Sequence, residues 1–265
     1  MDLLTYDISE HIATVTLQAK TMPPAFFPEC GRVFDELAQH DDVRAVVVRS
    51  DNKAFSYGLD LRAAAAGLGP YLAGGLAKQR MSLRKKILEW QAGINAVAAC
   101  PVPVIAAVHG WCIGGGLDLI SACDIRLASE DAVISLRETR IAIIADMGSL
   151  QRLPPIIGEG HTRELAYTGK DIDARRAAAI GLVNHVYPDR EALHQAALDM
   201  AREIAGNAPL TVRGVKEVLD YGRDKSVEDG LEFVATTNAA YLASKDLGEA
   251  MAAFASKRKP AFKGE

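Results

Sequence analysis

Residues 103–129 read PVIAAVHGWCIGGGLDLISACDIRLAS, and the order of patterns in this stretch decides the fold class. VIAAVHG is a short apolar run behind Pro101 and Pro103, which punctuate the end of a preceding helical pattern, so it reads as a buried strand. Gly114, Gly115 and Gly116 then open the helical segment LDLISAC, and DIRLAS returns to strand. Strand, glycine turn, helix and strand in close succession predict an α/β layer architecture. The first-turn N–H groups of a helix lack intrahelical acceptors, and glycines let a ligand approach them, so this turn can bind an oxyanion; tight packing alone is the competing explanation. The spacing is not G-x-G-x-x-G, and no G-x-x-x-x-G-K-[ST] loop occurs, which weakens dinucleotide and nucleoside triphosphate readings.

Upstream, LTYDIS and HIATVTL (4–9 and 11–17) predict a β-hairpin, FFPECGRVFDELAQ (26–39) a helix, and RAVVVRS (44–50) a buried strand. A helix is expected from Met81 to Ala99, with Ile87, Gln91, Ile94 and Ala98 on one face. Downstream, AVISL and LVNHVYP read as strands, and helices are expected near 161–168, 174–180 and from Arg190, Pro209 and Val227 onward. The pattern divides the chain into an α/β core, residues 1–195, and a helical region, residues 196–265.

The 265 residues are 49% hydrophobic and 24% charged, enough to bury a sizeable core and too apolar for extended disorder. A formal net charge of -4 gives no general attraction for nucleic acid or an anionic membrane. Cys30, Cys100, Cys112 and Cys123 show neither CxxC spacing nor paired histidines, so no metal site or disulfide framework is expected. With no signal-like run after Met1, no membrane-length apolar segment and no peroxisomal tripeptide at 263–265, the expected location is cytoplasmic.

A second motif, KAFSYGLDL (53–61), follows the strand RAVVVRS. Gly58 there can turn the Leu59 N–H outward; a simple strand-to-helix turn with Ser56 and Asp60 as local caps explains the same residues. Taken together, PVIAAVHGWCIGGGLDLISACDIRLAS and KAFSYGLDL resemble the two signature segments of the crotonase (enoyl-CoA hydratase/isomerase) family, and the likeness runs over nearly the whole chain. The resemblance implies a crotonase (ClpP-like) β-β-α spiral with a C-terminal helical trimerisation region, acting on an acyl-CoA thioester. It further implies an oxyanion hole from the backbone N–H groups of Leu59 and Gly115, and substrate contacts at Gly58, Asp60, Leu61, Arg62 and Gly114. No cofactor is implied, coenzyme A being part of the substrate, and the expected assembly is a homotrimer or a dimer of trimers.

Three acids bear on the reaction. Singly, Asp118 reads as a first-turn helix carboxylate, Glu138 as a strand-end charge and Asp146 as an N-cap for MGSLQRL. Within the family, hydratases carry glutamates at the positions of Asp118 and Glu138 and need no acid at Asp146. The segment 114–158 instead is similar to the Δ3,5-Δ2,4-dienoyl-CoA isomerase subfamily, whose three active-site acids fall on Asp118, Glu138 and Asp146; residues 223–242 share that likeness. The expected activity is therefore isomerisation of a 3,5-dienoyl-CoA to the 2,4 isomer, with 2-enoyl-CoA hydratase as the alternative and a non-catalytic or RNA-binding homologue as another. Ile141, Ile143 and Ile144 are expected to lower the dielectric around the acids. His109 reads as a hydrogen-bonded structural residue, and Tyr57 as a packed aromatic beside the turn.

Overall fold

The computed structural model describes residues 2–72 and 75–265, so Met1 lies outside the described residues. Strands β1 (Leu4–Ser9) and β2 (Ile12–Leu17) form an antiparallel hairpin, and helix α1 (Phe26–Ala38) carries the chain to β3 (Ala45–Ser50). Helices α2 (Leu61–Leu72) and α3 (Ala77–Ala98) lead to β4 (Val104–Val108), β5 (Trp111–Ile113), α4 (Gly115–Ala122), β6 (Ile125–Ser129) and β7 (Val133–Ser135). A 3-10 turn at Glu138–Ile141 precedes α5 (Ser149–Ile157), α6 (Glu159–Thr168), β8 (Asp171–Asp173), α7 (Ala174–Ala179) and β9 (His185–Tyr187). The chain ends in α8 (Arg190–Ala205), α9 (Pro209–Tyr221), α10 (Val227–Tyr241) and α11 (Lys245–Ala255).

The strands make one sheet in the order β1-β2-β3-β4-β6-β9 and a second in the order β5-β7-β8. After the hairpin every pairing in the large sheet is parallel. One turn of the chain places β4 in the large sheet, β5 in the small sheet and then the fully buried helix α4; the next places β6 and β7 in the same two sheets. An earlier turn does the same in miniature, since Ser56 bridges to Cys112 of β5. This is a β-β-α spiral.

At its centre the large sheet is buried on both faces, which is why β3 and β4 are continuous apolar runs, whereas the edge strand β1 alternates with exposed residues. Val46 and Val48 face a core shared with α1, α3 and α4, while Val47 and Ile105 face Leu193, Ala197 and Ala201 of α8. The boundary expected at 195/196 therefore falls inside a helix that packs on the sheet. Helix α9 is tied to the core by Lys216, which is buried and donates to the Asp124 carboxylate at 2.7 Å, and Tyr221 stacks on Phe233 of α10. No residue of α10 is buried.

Candidate active site

The spiral brings the two glycine-containing segments side by side. Parallel bridging lets the Met22 N–H donate to the Gly58 carbonyl at 2.7 Å and the Asp60 N–H to the Met22 carbonyl at 2.9 Å. Between them, the Leu59 N–H has no hydrogen-bond acceptor among the described residues; nor does the N–H of Gly115, the first residue of α4. Gly58 adopts φ +80°, and a Cβ there would lie 2.7 Å from the Ile113 carbonyl oxygen and 3.7 Å from the Gly115 nitrogen. Only glycine permits both the conformation and the approach. A Cβ at Gly115 would in turn lie 4.0 Å from the Leu59 nitrogen, so the two donors border one space.

That space is a cavity of about 240 Å³ lined by Gly58, Leu59, Gly114, Gly115 and all three acids, Asp118, Glu138 and Asp146. Asp118, on α4, is buried; its Oδ1 accepts the Ser149 N–H at 2.7 Å, so it faces the N-terminus of α5, where the helix dipole favours an anion. Burial outweighs those contacts and, with Asp146 nearby, raises its pKa to about 6. Glu138 begins the 3-10 turn, with Oε1 against Gly114 and Oε2 buried without a hydrogen-bond partner among the described residues. Burial, followed by repulsion from Asp118 and Asp146, raises its pKa to about 7. Asp146 is half-buried on the loop before α5, and burial raises its pKa as well. Three neighbouring carboxyls in a partly dry site do not all ionise together at neutral pH, so the site can hold one proton while offering a carboxylate to take another.

Other anticipated residues are placed differently. Leu61 lines the cavity, whereas Asp60 and Arg62 lie outside its lining. The Asp60 carboxylate accepts the Ala63 N–H at the start of α2 and is reached by the Thr21 hydroxyl, the local capping role its type favours. Tyr57 is not a packed aromatic: it is 41% exposed at the cavity lining, because the tight turn at Gly58 points it away from the core. Ile141 and Ile143 line the cavity, but Ile144 is 78% exposed and borders the neighbouring groove. Gly148, not Asp146, caps α5. His109 is buried with its Nε2 2.9 Å from the Asn52 carbonyl, outside the cavity.

Cavity residues that the sequence did not single out are Phe27, Trp90, Ile113, Arg137 and Met147. Phe27 and Trp90 stack at 5.3 Å across α1 and α3, which helical spacing reads only as core. Arg137, beside Glu138 in sequence, pairs with Asp171 and lies over the Trp111 ring. Among the described residues, no three His, Cys, Asp or Glu side chains group to hold a metal ion, and no helix is long and apolar enough to cross a membrane.

Two backbone N–H groups, one from a turn and one from a helix start, facing a carboxyl-lined cavity on a β-β-α spiral define a crotonase-fold protein. The chain belongs to the enoyl-CoA hydratase/isomerase family, whose profile matches residues 7–265. It is 42% identical over 260 residues to a mitochondrial Δ(3,5)-Δ(2,4)-dienoyl-CoA isomerase of Dictyostelium discoideum, covering 97% of this chain and 87% of that one. It is 44% identical over 239 residues to a peroxisomal isomerase of the same name from Arabidopsis thaliana, covering 89% and 86%. Among solved structures, an enoyl-CoA hydratase from Bacillus anthracis superposes with a TM-score of 0.89 at 33% identity, covering 99% of this chain and 100% of that one. The compartments in the relatives' names overturn the expectation of a cytoplasmic protein. Address signals are short segments read by receptors, and the composition of a folded domain does not encode them.

Proposed function

We propose that this chain converts a 3,5-dienoyl-CoA to its 2,4 isomer through an enolate of the thioester. The observation that carries the reading is the convergence of Asp118, Glu138 and Asp146 with the Leu59 and Gly115 N–H groups on one cavity. The thioester oxygen sits between the two N–H groups, which stabilise the negative charge that develops when the α-proton leaves; such preorganised dipoles are commonly the largest catalytic contribution. One of Glu138 and Asp146 takes that proton as a carboxylate, and the other, protonated, delivers one to the ε-carbon. Either assignment conserves protons and returns the pair to its starting total. Asp118, bound to the start of α5, is the polar orienter of the group. Gly58 and Gly114 admit the thioester, and Leu61 lies along the acyl path. The reaction as written needs no bound cofactor.

The names of curated relatives 39–44% identical to this chain support this reading over hydration. The subunit is proposed to assemble as a homotrimer or a dimer of trimers through its C-terminal helices. The test is ultraviolet spectroscopy of CoA thioesters of varied unsaturation. Isomerisation brings a 3,5-diene into conjugation with the carbonyl and adds long-wavelength absorbance, whereas hydration of a 2-enoyl ester removes absorbance. Loss of 2-enoyl absorbance with no change on 3,5-dienoyl esters would favour the hydratase.

A further inference from the structure

The loop that carries Asp146 spans residues 142–148, has no regular structure and starts with Ala142 at φ +59°. Among the described residues, none other than Asp146 itself hydrogen-bonds to its carboxylate, so where that carboxylate stands depends on how the loop backbone is held. Two consecutive carbonyls are held from one side. Gln91 Nε2 donates to the Asp146 carbonyl at 2.6 Å. Arg152 Nη1 donates to the Met147 carbonyl at 3.3 Å, and its Nη2 is in turn fixed by the side-chain oxygen of Asn95. Gln91 and Asn95 are four apart on α3 and so share a face. The helix itself is anchored against α1 through Trp90, Ile94 and Val97, with Trp90 forming part of the cavity wall.

We propose that Gln91 is a positioning residue, the donor on α3 that sets where the Asp146 carboxylate stands relative to the reacting carbon. The proposal rests on Asp146 being a proton-transfer group. Gln91 is half-buried and lies outside the cavity lining; it fixes the backbone carbonyl of the acid's own residue, and proton transfer is sensitive to displacements of about 1 Å. Arg152 and Asn95 steady the next carbonyl and leave the aspartate's own carbonyl to Gln91.

The test is a double-mutant cycle on the full-length chain. Gln91→Met keeps the length of the side chain and removes the donor, and Gln91→Glu keeps its shape and polarity while removing the donor when ionised. Each is made in the wild-type and Asp146→Asn backgrounds, with melting temperature measured alongside. In the wild-type background, kcat for isomerisation should fall by about ten- to a hundred-fold with KM changed by less than about two-fold. In the Asp146→Asn background, the residual kcat should change by less than about two-fold, because the group being positioned is already disabled. An equal fall in both backgrounds would mean that Gln91 only supports the fold, and an unchanged kcat in the wild-type background would mean that it positions nothing; either overturns the proposal. Normal turnover by Asp146→Asn alone would remove the reading of the site, and the role of Gln91 with it.

Discussion

Glu138 and Asp146 lie eight residues apart in the chain and reach the same cavity because a 3-10 turn and a left-handed Ala142 fold the intervening segment back on itself. Asp146→Asn should lower isomerase kcat by about 10²- to 10⁴-fold while leaving affinity for the CoA ester near wild type, since a proton-transfer group acts in the transition state; steady-state kinetics beside a binding isotherm checks this. Asp118 supports a prediction about stability. Its folded carboxyl protonates at about 6 against an ordinary 3.8, so its favourable contribution is full below about pH 4 and is lost as pH rises through about 6. Asp118→Asn should therefore melt higher than wild type at pH 8, by roughly 3 kcal/mol at most, with the difference closing towards pH 4. Thermal melts across that range measure it, and turnover should fall in the same variant. The three acids stood out only through the resemblance of residues 114–158 to the isomerase subfamily, since singly each reads as a helix-turn carboxylate, a strand-end charge or a cap. The outward placement of Tyr57 and the capping use of Asp60 were not, because both depend on how the turn at Gly58 directs its neighbours.

At the level of elements, the contact between the Gly58 turn and the start of α4 forms the oxyanion site, and both sides are backbone. Gly58→Ala would force a Cβ to within 2.7 Å of the Ile113 carbonyl at a φ of +80°, and so push the turn away from Gly115. It should lower turnover with every CoA ester tested by about 10²-fold or more, a rise of ~3 kcal/mol or more in the barrier, whereas Asp146→Asn should impair isomerisation selectively; parallel assays of the two variants separate these outcomes. Retained turnover in a folded Gly58→Ala variant would place the enolate site elsewhere. The strands β2, β3, β4 and β6 were readable because apolar runs and alternation are local signals. Helix α5 was harder to read: it contains Pro154 and Pro155, which argue against a helix interior, and its N-terminus is satisfied by Asp118 from a distant element. The short turn at Glu138 likewise takes its form from packing that no local pattern announces.

For the whole molecule, the C-terminal helices leave an apolar surface uncovered within the subunit. Leu231 is 62% exposed, Met251 65% and Phe254 85%. Core packing inside one chain does not account for these three side chains, and faces of this kind ordinarily meet another subunit. Light scattering at micromolar concentration should give three or six times the subunit mass; a fully active monomer would contradict that assembly. The positions at which protons leave and arrive are read by turning over a 3,5-dienoyl-CoA in heavy water and locating deuterium in the product by NMR. A 2,4-dienoyl-CoA labelled at the ε-carbon is expected. Recovery of unchanged dienoyl ester, together with conversion of a 2-enoyl ester to a 3-hydroxyacyl product labelled at the α-carbon, would contradict the proposed isomerisation.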